Sequence, residues 1–227
     1  MRVEVLPADT WAGTVTAELN DRLRPGLRLC LATGATPVPV YALLQPDALS
    51  ASTVFLLDEF GGLPAGHPGR CETMLRSALL DRVPAREFHF PVVDASDLEV
   101  ECRRYRDLIS DGGLDLAVLG LGMNGHLGLN EPGSDAHQPT RAVGLTAETR
   151  EGARRYGADP PPDWGLAVGL AELLAAREVW LLVTGPAKAG VLARVVNGPV
   201  TEQLPASYLR THPNTIIWAD GEAGSLL

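Results

Sequence analysis

Six short apolar runs, most of them separated by a helical pattern, constrain this chain more than any other feature. They cover residues 27–31, 53–57, 87–90, 114–119, 179–183 and 215–218. Each is continuous, not alternating, as expected of strands buried on both faces. Helical spacing is predicted over 38–44, 73–82, 98–110, 164–176 and 187–196. Strand, helix and strand in this rhythm imply right-handed crossovers. The predicted fold is α/β: a doubly wound, Rossmann-like, mostly parallel sheet with helices on both faces. No internal repeat or long linker divides the 227 residues, so residues 1–227 are expected to form one domain. The segment Asp159-Pro-Pro-Pro-Asp163 reads as a surface loop entering the next helix.

Charge and cysteine content exclude several function classes. A formal net charge of -9 supplies no basic face for a phosphate backbone, so nucleic acid is not an expected partner. Cys30, Cys71 and Cys102 are odd in number and far apart, with no CxxC pair, and read as reduced, mostly buried thiols of a cytoplasmic protein. No apolar run is long enough to span a membrane, and the first residues lack a signal-peptide pattern, so a soluble, unexported protein is expected. The basic residues are lopsided, with 18 arginines and one lysine, Lys188. A lysine kept in such a chain suggests a site needing a compact point charge, which the planar arginine fork does not replace.

The stretch Gly120-Leu-Gly-Met-Asn-Gly-His-Leu-Gly-Leu-Asn-Glu-Pro132 follows a predicted buried strand. Open α/β sheets keep their ligands at that edge. Its first six residues fit GxGxxG, but a dinucleotide site needs those glycines to run into a helix, with an acidic residue about 20 positions further on. Here more glycines and a proline follow, and no acid occurs at 138–141. A nicotinamide or flavin role is therefore disfavoured. The same loop carries His126, a proton carrier near neutral pH, and Glu131, which could orient or charge-balance its ring. His67, His89, His137 and His212 stand at no ligand spacing to it, so no metal is expected.

Three other strand ends carry complementary groups. Leu31-Ala-Thr-Gly-Ala-Thr-Pro37 leads into a helical pattern and offers free amides and hydroxyls at Thr33, Gly34, Ala35 and Thr36. Such a turn suits an anion such as phosphate, or is an ordinary strand-to-helix turn capped by its threonines. It is no P-loop, since GKS and GKT are absent. In Leu57-Asp-Glu-Phe60, adjacent carboxylates of an extended segment point to opposite faces, so at most one of Asp58 and Glu59 enters the crevice. Partial desolvation there raises a carboxyl pKa and its usefulness as a base. Val183-Thr-Gly-Pro-Ala-Lys188 brings Lys188 to the same edge.

Together these segments resemble the glucosamine-6-phosphate deaminase/isomerase family, which shares its fold with 6-phosphogluconolactonases. The resemblance runs through Leu31–Pro37, Leu57-Asp-Glu-Phe60 with Gly62-Leu-Pro64, Asn124-Gly-His126, Leu129-Asn-Glu-Pro132 and Val183-Thr-Gly185 with Lys188. Cys71-Glu-Thr73, Gly120-Leu-Gly122 and Pro205-Ala-Ser207 are similar in wording to the galactosamine-6-phosphate branch. The Asn-Glu-Pro after the histidine favours the deaminase side, because the lactonases resemble this region only up to Gly-His.

The resemblance implies an enzyme acting on a phosphorylated amino sugar without metal or organic cofactor. Asp58 would carry a proton from C2 to C1 of the opened sugar, and His126 would open the ring, supported by Glu131 and Asn124. Thr33 to Thr36, Lys188 and Arg155 would hold the phosphate. Many family members have Asp where this chain has Asn124, and an amide cannot serve as the charged partner of an imidazolium; His126 is then a weaker base or relies on Glu131. Ala167 stands where the family often has Thr, and Val143 and Gly144 replace polar residues linked to allosteric control. The chain also lacks the longer C-terminal segment of the hexameric enzymes. The expectation is a non-allosteric monomer or small homo-oligomer. The alternatives are a sugar-phosphate lactone hydrolase and a non-catalytic sugar-phosphate-binding regulator.

Overall fold

A computed structural model describes residues 1–227. In chain order it contains β1 (Arg2–Leu6), α1 (Ala8–Arg22), β2 (Arg28–Leu31), α2 (Val38–Ala42), β3 (Thr53–Leu56), β4 (Asp58–Phe60), α3 (Cys71–Leu75), β5 (Glu87–His89), α4 (Leu98–Ser110), β6 (Leu116–Gly120), β7 (Arg141–Gly144), α5 (Ala147–Arg154), β8 (Trp164–Ala167), α6 (Leu170–Leu174), β9 (Glu178–Val183), α7 (Ala189–Asn197) and β10 (Thr215–Asp220). A seven-stranded sheet runs in the order β1-β10-β9-β6-β2-β3-β5, every pair parallel. All six predicted strands lie in it.

Strand residues alternate between two cores because successive side chains point to opposite faces. Leu29, Leu31, Val54, Leu56, Trp180 and Trp218 pack with Trp11 and Val15 of α1, Tyr41 of α2 and Leu75 of α3. Cys30, Phe55, Ala117, Leu119, Leu181 and Ile217 pack with Tyr105 of α4, Leu173 of α6 and Leu192 of α7. Helices therefore cover both faces of the doubly wound sheet. From β2 the chain builds outward through β3 to β5, then returns to β6 on the other side of β2. The strand order reverses between β2 and β6, which opens a crevice outside their carboxyl ends.

Several boundaries differ from expectation. Residues 164–176 are not one helix: Trp164–Ala167 is strand β8 and only Leu170–Leu174 is helical. Two glycines explain this. A Cβ at Gly165 would stand 2.6 Å from the Glu59 carbonyl oxygen, and one at Gly169 would stand 2.2 Å from the Pro139 backbone, so both are needed for close chain approach. The proline loop thus enters a strand. Residues 73–82 form α3 followed by a π-helical turn, Arg76–Leu80. The helix expected over 187–196 begins as a 3-10 turn, Pro186–Lys188, before α7. β4, β8 and β7 form a separate antiparallel sheet that was not anticipated; Ala167 pairs with both Asp58 and Arg141.

Candidate active site

The crevice is a cleft of about 340 Å³. Thr33, Gly34, Ala35 and Thr36, after β2, line one side of it, and Gly120 to Met123 and His126, after β6, line another. Asp58, Arg155 and Lys188 also line it, so the structure gathers the predicted groups from distant parts of the chain. Asn124 and Glu131 do not line the cleft and stand behind His126.

Asp58 and Glu59 divide as the extended backbone of β4 requires. Glu59 is fully buried and accepts from the backbone N–H groups of Phe60 (2.8 Å), Cys71 (2.8 Å) and Glu72 (2.9 Å). It also faces the Arg70 guanidinium at 3.5 Å. It closes the N-terminus of α3, a structural task. Asp58 faces the cleft. Burial drives its pKa from 3.8 to about 6, helped by the charge of Glu59 and opposed by a hydrogen bond from the Cys71 thiol and by His126. A carboxyl poised there exchanges protons readily near neutral pH.

His126 sits against Gly122, where a Cβ would come within 2.3 Å of the imidazole ring. Its Nδ1 lies 3.4 Å from Glu131 Oε2. Asn124 Nδ2 donates to that same oxygen at 3.0 Å, while Asn124 Oδ1 accepts from the His126 backbone N–H at 3.1 Å. The amide thus braces the loop and Glu131, and the carboxylate facing the imidazole is Glu131. Burial disfavours charge on Glu131, but hydrogen bonds from His126, Thr149 and Asn124 outweigh it and hold the pKa at about 2. It stays ionised. With Nδ1 turned to Glu131, Nε2 is the ring nitrogen left for the cleft.

The opposite end of the cleft is cationic. Lys188 Nζ donates to the Leu121 carbonyl at 2.6 Å. Burial lowers its pKa, Arg155 pushes the same way, and Glu148 opposes both. The turn at 33–36 presents backbone amides; its threonines do not cap α2, whose N-cap is Pro37 without a side-chain cap. Thr36 Oγ1 instead meets Thr184 Oγ1 at 3.5 Å, tying the ends of β2 and β9 together. The turn, Lys188 and Arg155 bring free backbone amides and two cations to the cleft of an otherwise acidic chain, an arrangement suited to an anion.

The glycines of the GxGxxG run lead into turns, not a helix. Two of them serve close packing: a Cβ at Gly125 would lie 2.2 Å from Leu204 Cδ1, and one at Gly122 would meet the His126 ring. No three His, Cys, Asp or Glu side chains come together as a metal-holding group. Residues that the sequence reading did not put forward for the site also line the cleft: Glu148, Thr149, Tyr156, Met123 and Cys71. The first two ride on α5, which the sequence reading missed, although Thr146-Ala-Glu-Thr149 is a recognisable helix start.

Fold and site together define an α/β protein whose one cleft gathers a buried carboxyl, an imidazole, a lysine and an arginine from separate parts of the chain. The chain belongs to the family of glucosamine-6-phosphate isomerases and 6-phosphogluconolactonases, whose model matches residues 7–218. It is 39% identical over 227 residues to the glucosamine-6-phosphate deaminase of Rhodopirellula baltica, covering 95% of this chain and 90% of that one. With the glucosamine-6-phosphate deaminase of an Exiguobacterium strain it shares 38% over 201 residues, covering 87% and 79%. A solved monomeric glucosamine-6-phosphate deaminase, described as a missing link of the NagB superfamily, superposes with a TM-score of 0.93 at 31% identity over all of both chains. The 6-phosphogluconolactonase of Thermotoga maritima shares the fold, with a TM-score of 0.78 at 21% identity over 96% of this chain and 99% of that one.

Proposed function

We propose that this protein, as a single domain over residues 1–227, is an amino-sugar-6-phosphate deaminase/isomerase, with glucosamine-6-phosphate as its first substrate. The observation that carries this reading is the buried Asp58, with a pKa of about 6, sharing one cleft with His126, whose ring is backed by Glu131. The phosphate binds on the 33–36 turn between Lys188 and Arg155. His126 Nε2 relays the proton that leaves the C1 hydroxyl as the C1–O5 bond breaks and O5 gains a proton. Asp58 then removes the C2 proton, the C1 oxygen takes a proton from the C2 ammonium to give the enolamine, and Asp58 returns its proton to C1. The resulting C2 iminium takes up water and releases ammonia, leaving the ketose 6-phosphate. A positioned base and a proton relay suffice for each step.

Galactosamine-6-phosphate is the second substrate to test, since the wording around Cys71 points that way. The monomeric relative supports a monomer for this chain as well. No helix is long and apolar enough to cross a membrane. With three free, buried cysteines, a cytoplasmic setting fits the reading. The decisive experiment incubates purified protein with both amino-sugar phosphates and with 6-phosphogluconolactone, recording ammonia and acid release. Ammonia from an amino sugar is expected. Acid release without ammonia would establish the lactonase alternative, and binding without either product the non-catalytic regulator.

A further inference from the structure

Helix α5 begins beside the His126–Glu131 pair. Thr146, its N-cap, donates to Glu131 Oε1 through both its backbone N–H (3.3 Å) and its hydroxyl (3.2 Å). One turn on, the Thr149 hydroxyl lies 3.3 Å from His126 Nδ1, and its backbone N–H donates to Thr146 Oγ1 at 3.3 Å. Thr149 is buried, and its hydroxyl also meets the Thr146 hydroxyl at 3.3 Å. The carboxylate is therefore held from two sides, by Asn124 on Oε2 and by the start of α5 on Oε1. The imidazole Nδ1–H lies between a carboxylate and a hydroxyl.

We propose that Thr149 is a positioning residue for ring opening: its hydroxyl, which meets both His126 Nδ1 and the Thr146 hydroxyl that holds Glu131, fixes the ring and keeps Nε2 directed into the cleft. A hydroxyl suits this place because it can accept from Nδ1–H while staying linked to Thr146, which neither a methyl nor an amide N–H can do. Glu131 alone, at 3.4 Å, is a loose partner that leaves the ring free to swing. The far end of α5 leads directly to Arg155 and Tyr156, which line the anion end of the cleft, with the Tyr156 hydroxyl 3.4 Å from the place of a Cβ on Gly34. One helix thus spans both ends of the site. Phosphate seated against Arg155 fixes the same element that orients His126.

This inference rests on the proposed deaminase reading, and its test separates the two. Thr149→Val keeps the shape and removes the hydroxyl; Thr149→Ser restores it. With glucosamine-6-phosphate, kcat of Thr149→Val is expected to fall about 10-fold, and Thr149→Ser to recover most of it. Deuterium at C2 of the substrate supplies the discriminating readout. If Thr149 serves ring opening, that step slows in the valine variant and the C2 isotope effect on kcat shrinks toward one. An unchanged isotope effect or a wild-type kcat overturns the proposal. Nitrogen NMR of the His126 ring, assigned with a His126→Gln variant, decides the matter without turnover. Thr149→Val is expected to move the Nδ1 resonance and Thr149→Ser to leave it, whereas overlaid spectra refute the positioning role. Wild-type protein that makes no ammonia sinks the deaminase reading instead, and the ring spectra still decide for or against Thr149.

Discussion

Asp58→Asn is expected to abolish turnover and to make the protein more stable at neutral pH. Asp58 is 7% exposed, and its pKa rises from 3.8 to about 6, chiefly through burial. Between those values the folded state binds the proton that the unfolded state has lost. Stability contributed by this residue is therefore greatest at low pH and declines as pH rises toward and past 6. At about 1.4 kcal/mol per decade, the loss amounts to about 1 kcal/mol at about pH 4.5 and about 3 kcal/mol at about pH 7.5. Asparagine occupies the same volume and carries no charge to desolvate. Urea melts of both proteins at the two pH values measure the difference, and the titrating groups that do not interact with Asp58 cancel in the comparison. The variant should gain on the wild type by about 2 kcal/mol between the lower and the higher pH, while ammonia production falls by at least 100-fold, as loss of a general base requires. A stability gap that does not change with pH, or a variant that still turns over, refutes the assignment of Asp58 as a buried carboxyl base.

Gly122→Ala places a methyl 2.3 Å from the His126 ring, so the imidazole must move; kcat should drop on the order of 100-fold with little change in melting temperature. Glu59→Gln leaves Arg70, whose side chain is 3% exposed, without its buried counter-charge. A loss of about 3 kcal/mol or more is expected in chemical denaturation, with residual activity per folded molecule. Lys188→Arg replaces a compact ammonium, 2.6 Å from the Leu121 carbonyl, with a longer planar fork. KM for the sugar phosphate should rise about 10-fold with kcat nearly unchanged, as steady-state kinetics will show.

The parts of the fold legible in the sequence are those governed by one simple pattern. Buried parallel strands are continuous apolar runs, and five of the six are recognisable for that reason; Glu87-Phe-His-Phe90 alternates, as its place at the sheet edge allows. The segments missed each obey something else. In α1, Thr16 occupies a buried position and bonds the Ala12 and Val40 carbonyls, so the apolar stripe is interrupted where the helix packs. In β1, the edge strand, exposed and half-buried positions dilute the signal. β7 and β8 depend on tertiary pairing: Trp164-Gly-Leu-Ala167 carries apolar residues at helical spacing but extends because Gly165 permits contact with β4. Site residues at strand ends were legible because a short apolar run names its own terminus. Thr146, Thr149, Glu148 and Tyr156 were not, because their place near the cleft follows from how α5 is laid across it.

The pair Asp58 and Glu59 shows why the antiparallel sheet matters to chemistry. Two neighbouring carboxyls in buried surroundings would ordinarily both be costly, and each raises the pKa of the other. The chain separates them by direction. Beyond Leu57 it leaves the parallel sheet and pairs as β4 with β8, which fixes an extended backbone and sends the two side chains to opposite faces. Glu59 then meets three backbone donors and a guanidinium, a set that satisfies a carboxylate at the start of α3. Asp58 meets no backbone donor, only the Cys71 thiol and the field of His126. Its affinity for a proton therefore remains high enough to take one from carbon and give it back. Reversing the order of the two side chains across β4 would bring to the cleft the carboxyl whose oxygens are already taken by three backbone donors and a guanidinium. The reactive member of the pair is thus selected by strand direction and helix capping, with the residue type the same in kind at both positions.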